Sequence, residues 1–360
     1  MSTIELPILA SKQEQLKYLV EVLNKNIPED YKKGIQLYRG AIDRDKQSTN
    51  KDIEAMIKSN VPKDFVITLH APFIVTNPKP KYNFTTKKVE DMVQENILLA
   101  ESINANSMII HLNSVFYHPE RLPDSSNLMG YFELFRWKNK WDNYEIVKKE
   151  VIDVAYGILK DIARKTKVKI SVENMPMPLG GDITTDPTKL IYDPKLATYE
   201  SIIEFLKEFS DFKNIGVCFD TAHYKISQLT LNDIIRRSNG NLTYNELKNE
   251  GFLGLYPERF SLQPDIKDVV KELIDRKVLF DLQIADTDKR WVKNSRLLRE
   301  GLPIKNDNSG KELLYITKYV AENSPNTPIS FDIEEEDYLN LKNQIDSLKI
   351  FFNYMNSKGL

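Results

Sequence analysis

The chain has 360 residues, 41% of them hydrophobic and 28% charged, with a formal net charge of −2. That composition suits a soluble globular protein with a large core, makes disorder unexpected, and supplies no global basic field that would recruit a polyanion. A single cysteine, Cys218, precludes an intramolecular disulfide; the N-terminus lacks a signal-peptide pattern and no apolar run approaches membrane-spanning length. The expectation is a cytoplasmic protein.

Taken in chain order, strand-like runs alternate with helically spaced segments. Ile4 to Leu9 precedes Lys12 to Asn24, Ile35 to Tyr38 precedes Asn50 to Ser59, Phe65 to His70 precedes Val89 to Ile103, and Met108 to His111 precedes Tyr144 to Arg164. Val168 to Glu173 precedes Ser201 to Phe209, Ile215 to Asp220 precedes Ile266 to Arg276, Val278 to Ala285 precedes Glu312 to Ala321, and Ile329 to Ile333 precedes Tyr338 to Tyr354. Eight β-then-α units in order imply a parallel sheet, and the number favours a closed (β/α)8 TIM barrel in a single domain, residues 1–360, over an open doubly wound sheet.

In such a barrel, ligands gather at the rim built by the loops that follow the strands. Long connections are expected at 71–88, 112–143, 174–200 and 221–265, all on that face, as lids or binding loops. The stretch 112–143 is rich in aromatics, including Phe116, Tyr117, Phe135, Trp137 and Trp141. These rings could wall a pocket, with Trp137 a candidate substrate contact, although packing beneath the loop is the commoner use of aromatics. The acidic run Glu334 to Asp337 reads as a solvated helix start, favoured by the helix dipole.

Six of the runs are strongly apolar, and five of those end at or within a residue of a metal-binding side chain: His70, His111, Glu173, Asp220 (with His223 beyond it) and Asp332. Carboxylates and imidazoles are costly to bury, so their repeated placement at strand ends makes sense if they converge on a compensating cation. The sixth run ends on Gln283, an amide and a weaker ligand. Imidazole with carboxylate suits Zn²⁺ or Mn²⁺, with Mg²⁺ possible, in one or two ions. Asn113 and Asn174 could contact substrate or tie down loops, and Cys218 reads as core packing. Lys225 could neutralise an anionic substrate group, against the ordinary reading of a solvated lysine.

The segments Leu69-His70-Ala71-Pro72, Ile110-His111-Leu112-Asn113, Val172-Glu173-Asn174, Phe219-Asp220-Thr221-Ala222-His223, Leu282-Gln283-Ile284-Ala285-Asp286, Glu300-Gly301 and Phe331-Asp332 resemble, in order and spacing, the xylose-isomerase-like TIM barrels that include endonuclease IV and many sugar isomerases and epimerases. The resemblance implies that His70 and His111 hold one metal, with Glu173 bridging to a second held by Asp220, Gln283 and Asp332 or Glu334. It departs at Gln283, usually histidine, and at Asp332, usually glutamate. The aspartate-x-histidine pair that completes a third metal in endonuclease IV is missing, since 287–305 contains no histidine.

The leading expectation is therefore a divalent-metal-dependent isomerase or epimerase of a small sugar or sugar phosphate, working by proton transfer through a metal-stabilised enediolate. Glu173 and Asp332 (or Glu334) are the candidate acid and base. The alternatives are an endonuclease IV-like hydrolase of abasic DNA, disfavoured by charge and by Gln283, and a barrel that binds a ligand without turning it over.

Overall fold

In the computed structural model the described residues are 1–9, 13–39, 49–71, 74–75, 86–117, 135–136, 155–176, 190–194, 196–243, 246, 261–288, 300–335 and 340–357. Eight parallel strands close into a barrel: β1 (Thr3–Leu9), β2 (Lys32–Tyr38), β3 (Val66–His70), β4 (Ser107–Tyr117), β5 (Lys169–Glu173), β6 (Ile215–Asp220), β7 (Leu279–Gln283) and β8 (Ile329–Ser330). Each pairs with its sequence neighbours and β8 returns to β1, which leaves no open edge in the ring. The helices are α1 (Gln13–Asn26), α2 (Asn50–Asn60), α3 (Thr86–Ser102), α4 (155–163), α5 (Tyr199–Glu208), α6 (Thr221–Arg237), α7 (Ile266–Asp275), α8 (Asn308–Asn323) and α9 (Lys342–Ser357). None of the described helices is long and apolar enough to cross a membrane.

Side chains alternate across each strand, and the two faces differ in kind. Ile4 and Leu6, Ile35 and Leu37, Met108 and Ile110, Ile170 and Val172, Val217 and Phe219, and Leu282 and Ile329 are buried under the helices. Each such side chain contributes roughly 2 kcal/mol of burial free energy. The other face is polar: Glu5, Gln36, Thr68, Ser107, Ser171, Asp281 and Ser330 are all buried. These residues face the lumen, because their hydrogen bonds join strands that are not neighbours. Ser107 of β4 donates to Asp281 of β7 at 2.7 Å, and Thr68 of β3 donates to Glu5 of β1 at 3.0 Å. Gly34 leaves room for Glu5, since a Cβ there would lie 2.7 Å from its Cγ.

Local sequence explains the helix starts. Thr49 and Asp52 form a capping box on α2, Thr198 and Ser201 one on α5, and Asp307 caps α8. Asp220 ends β6 and caps α6 at once, accepting the His223 N–H at 2.7 Å.

The structure corrects several expectations. The connection expected over 221–265 opens with helix α6, 17 residues long, because the Asp220 cap starts a helix as soon as the strand ends. The connection expected over 112–143 begins as a continuation of β4 to Tyr117, which pairs antiparallel with Leu190–Pro194 and thereby also orders part of 174–200. Helix α9 begins at Lys342, and Glu335 accepts the Gln344 N–H at 2.6 Å and caps that helix from outside; residues 336–339 lie outside the described residues. Trp137, Trp141 and His118 lie outside the described residues, as does the side chain of Asn113.

A candidate metal centre at the barrel rim

The register of the barrel brings the strand ends together. Tyr38 pairs with His70 across β2 and β3, His111 with Glu173 across β4 and β5, and Asp220 with Gln283 across β6 and β7. Glu173 sits at the centre. Its Oε2 lies 3.0 Å from His70 Nε2 and 2.8 Å from His111 Nε2, and its Oε1 lies 3.2 Å from His223 Nδ1. The two imidazole nitrogens of His70 and His111 are 3.1 Å apart. Two groups of donor atoms, His70 with His111 and Glu173, and Glu173 with Asp220 and His223, each fall within 4.8 Å, sharing Glu173.

The tautomers, inferred from neighbouring groups, show what such a cluster needs. His70 Nδ1 lies 3.1 Å from the Ala71 carbonyl, an acceptor only, so Nδ1 carries the proton and Nε2 presents its lone pair to the Glu173 carboxylate. In that neutral form two acceptors face each other 3.0 Å apart, a contact that a proton or a metal ion between them satisfies. His70, His111 and Glu173, two imidazoles and a carboxylate, fit a Zn²⁺-like ion by donor chemistry. His223 has an acceptor at each nitrogen: its Nδ1 lies 2.9 Å from the Asn174 carbonyl and its Nε2 3.2 Å from Glu300 Oε2.

Burial alone would raise the Glu173 carboxyl, but the charge and hydrogen bond of His111, joined by the hydrogen bonds of His223 and His70, hold it well below the usual carboxylate range. Burial pushes Asp220 up to about 7 against the pull of His223. Desolvation, with the charges of Asp220 and Glu173, takes Asp332 to about 7 as well. Burial lowers His223, yet Asp220 and Glu300 outweigh it and raise the imidazole well above its ordinary value. The site thus contains one firmly ionised carboxylate flanked by two that titrate near neutrality.

The remaining candidates fall in different places. Asp332, which keeps a partly exposed edge, lies within electrostatic reach of Glu173, Asp220, His70 and His223. Glu334 is exposed, its backbone N–H bonded to Gly301 and its carboxyl raised by desolvation and by Glu300. Asn174 is fully engaged as a clamp: its Nδ2 donates to the Asp220 carbonyl at 3.0 Å and its Oδ1 accepts the Asp220 N–H at 2.6 Å. Lys225 is not a solvated lysine. It pairs with Asp286 at 3.0 Å and also contacts Ser309, which donates to the same Asp286 oxygen at 2.7 Å.

Two residues in this neighbourhood escaped the strand-end pattern. The Tyr38 ring stacks on His70 with centroids 3.8 Å apart and planes 15° from parallel. Its position at the end of the second strand was the available signal. Glu300 belongs to the segment between β7 and β8 and reaches His223 only through the tertiary fold, held by the Asp286 to Leu302 bridge.

No protein-family model matches the chain, and neither does a curated sequence relative. Solved structures do. A D-tagatose 3-epimerase-like protein superposes with a TM-score of 0.54 at 16% identity, over 100% of both chains. A Thermus thermophilus protein, TTHB071, soaked with ZnCl2, gives 0.53 at 11% identity over 99% of each chain. Endonuclease IV from the same organism gives 0.51 at 11% identity, over 98% of this chain and 99% of that one. The chain shares the TIM-barrel fold of these structures. Within it, neighbours at this distance include proteins described as epimerase and endonuclease, so the fold leaves the reaction to be argued from the site.

Proposed function

We propose that the chain, as one barrel domain over residues 1–360, is a metal-dependent isomerase or epimerase of a small sugar or sugar phosphate. The observation that carries the reading is the buried convergence of His70 Nε2 and His111 Nε2 on one Glu173 oxygen, at 3.0 and 2.8 Å. A bound divalent ion, Zn²⁺ or Mn²⁺, would supply Lewis-acid polarisation of a carbonyl and its adjacent hydroxyl. His70, His111 and Glu173 would hold it, with Asp220 and His223 available to a second ion through the shared Glu173.

Proton transfer falls to Asp332, and this revises the pairing of Glu173 with Asp332 or Glu334. A general base works best with a pKa near ambient pH, and Asp332 is pushed up to about 7 whereas Glu173 is held low. Glu334 is exposed and less suited to excluding water. Fold neighbours described as a D-tagatose 3-epimerase-like protein and as D-psicose 3-epimerase with D-tagatose support a sugar-like substrate.

The second reading, metal-dependent hydrolysis of abasic DNA, draws on the convergence of His70 and His111 on one carboxylate oxygen and on the endonuclease IV likeness. Against it stand the net charge of −2 and Gln283. The two are separated by incubating the metal-loaded protein with a panel of ketoses, aldoses and their phosphates in D2O, and in parallel with an abasic duplex. Deuterium entering the carbon next to a carbonyl, abolished by Asp332→Asn, is the expected result; metal-dependent nicking without exchange would replace this reading with the hydrolase.

A further inference from the structure

Gln283 stands at the end of β7, in register with Asp220 and fully buried. Its amide lies between two polar neighbours, of which the carboxylate has a fixed character. On one side is the Glu173 carboxylate, which only accepts; on the other is the Gln36 amide, whose Nε2 faces Gln283 and whose Oε1 has no hydrogen-bond partner among the described residues. One orientation satisfies both. Gln283 Nε2 then donates to Glu173 Oε1 at 3.2 Å and Oε2 at 3.3 Å, while its Oε1 accepts from Gln36 Nε2 at 2.7 Å. The reverse orientation sets like against like at each end of a fully buried group.

We infer that Gln283 is not a metal ligand but a positioning residue that acts through Glu173, with Gln36 fixing which way its amide faces. The oxygen that could coordinate an ion is committed to Gln36, and the group turned toward the centre is an amino group, which cannot coordinate. Glu173 needs such a donor. Its two oxygens must stay aimed at His70 and His111 on one side and at His223 on the other, and the carboxamide bridges both. Hydrogen bonds of this kind orient a ligating carboxylate and typically change metal affinity by about 10 to 100-fold. The three residues form a relay of two steps, Gln36 to Gln283 to Glu173, running from β2 across the lumen to β7 and on to β5.

This inference deepens the metal-site reading and rests on it. The test uses Gln283→Met and Gln36→Met, which keep side-chain volume and flexibility and so minimise packing loss, together with the double variant. Zn²⁺ content after dialysis and Zn²⁺ affinity by chelator competition are measured on full-length protein whose fold is checked by circular dichroism. If Gln283 positions Glu173, both single variants keep the wild-type number of ions and each weakens binding by about 10 to 100-fold. The double variant is then no weaker than Gln283→Met, since both break one relay. Loss of one ion equivalent in Gln283→Met with Gln36→Met unaffected would overturn the inference, because it would make Gln283 Oε1 a ligand. Should Gln283→Met not fold, Gln36→Met alone decides: wild-type affinity there overturns the relay. Absence of Zn²⁺ from the wild-type protein would overturn the metal reading itself, a distinct result.

Discussion

Asp332→Asn, studied without metal, separates burial from ligation. Desolvation, with Asp220 and Glu173 close by, raises the Asp332 carboxyl from 3.8 to about 7. A group whose folded pKa is raised adds stability that is fully present below its unfolded value and is lost as pH rises through the folded value. Between about pH 5 and about pH 8 the wild-type carboxyl therefore forfeits roughly 2 to 3 kcal/mol by linkage, whereas an asparagine of the same shape forfeits nothing. Urea unfolding of both proteins in excess chelator should show the variant gaining on the wild type by about that amount over this range, with the linkage difference closing only as pH falls toward 3.8. With saturating Zn²⁺ the order should reverse at about pH 8, because the ion favours the ionised carboxylate and the variant lacks it. A constant offset between the two proteins across the pH range would refute the placement of Asp332 in the desolvated carboxylate cluster.

Other perturbations test the surroundings of the centre. Glu5, raised well above its ordinary value by burial and by the charge of Asp281, should make Glu5→Gln more stable than wild type at about pH 8 and indistinguishable at about pH 4, read from thermal melts. Lys225→Met strips the cation from buried Asp286 and should cost about 2 to 4 kcal/mol in urea unfolding. Were Lys225 instead a phosphate anchor, stability would hold and KM for phosphorylated substrates alone would rise. Gly301 has φ +72°, and a Cβ there would lie 2.6 Å from Glu334 Cγ, so Gly301→Ala should cost roughly 1 to 3 kcal/mol and loosen Glu300 from His223.

Much of this was legible in the sequence, for reasons that can be named. His70, His111, Glu173 and Asp220 stand out because buried strands tolerate such groups only where something compensates them, and eight repeated units fix where strand ends meet. The polar lumen was harder to see. Glu5, Gln36, Thr68, Ser107, Ser171 and Asp281 alternate with strongly apolar neighbours, so the runs read as apolar strands while half of each faces inward. Helix α6 was hidden because Asp220 reads as a ligand before it reads as a cap. The antiparallel pairing of β4 with Leu190–Pro194 joins segments far apart in the chain, beyond any local pattern. Glu300 and the Lys225 to Asp286 pair depend on which loops the barrel folds together, and the orientation of Gln283 depends on Gln36, a residue with no chemistry of its own to attract notice.

The central claim is that Glu173 organises a metal centre among three imidazoles. Elemental mass spectrometry of untagged protein, compared with Glu173→Ala that retains its circular dichroism spectrum, tests it most directly. The expected result is one or two equivalents of Zn or Mn per wild-type chain, lost in the variant. A wild-type protein that carries no metal and takes up none at micromolar concentration would contradict it.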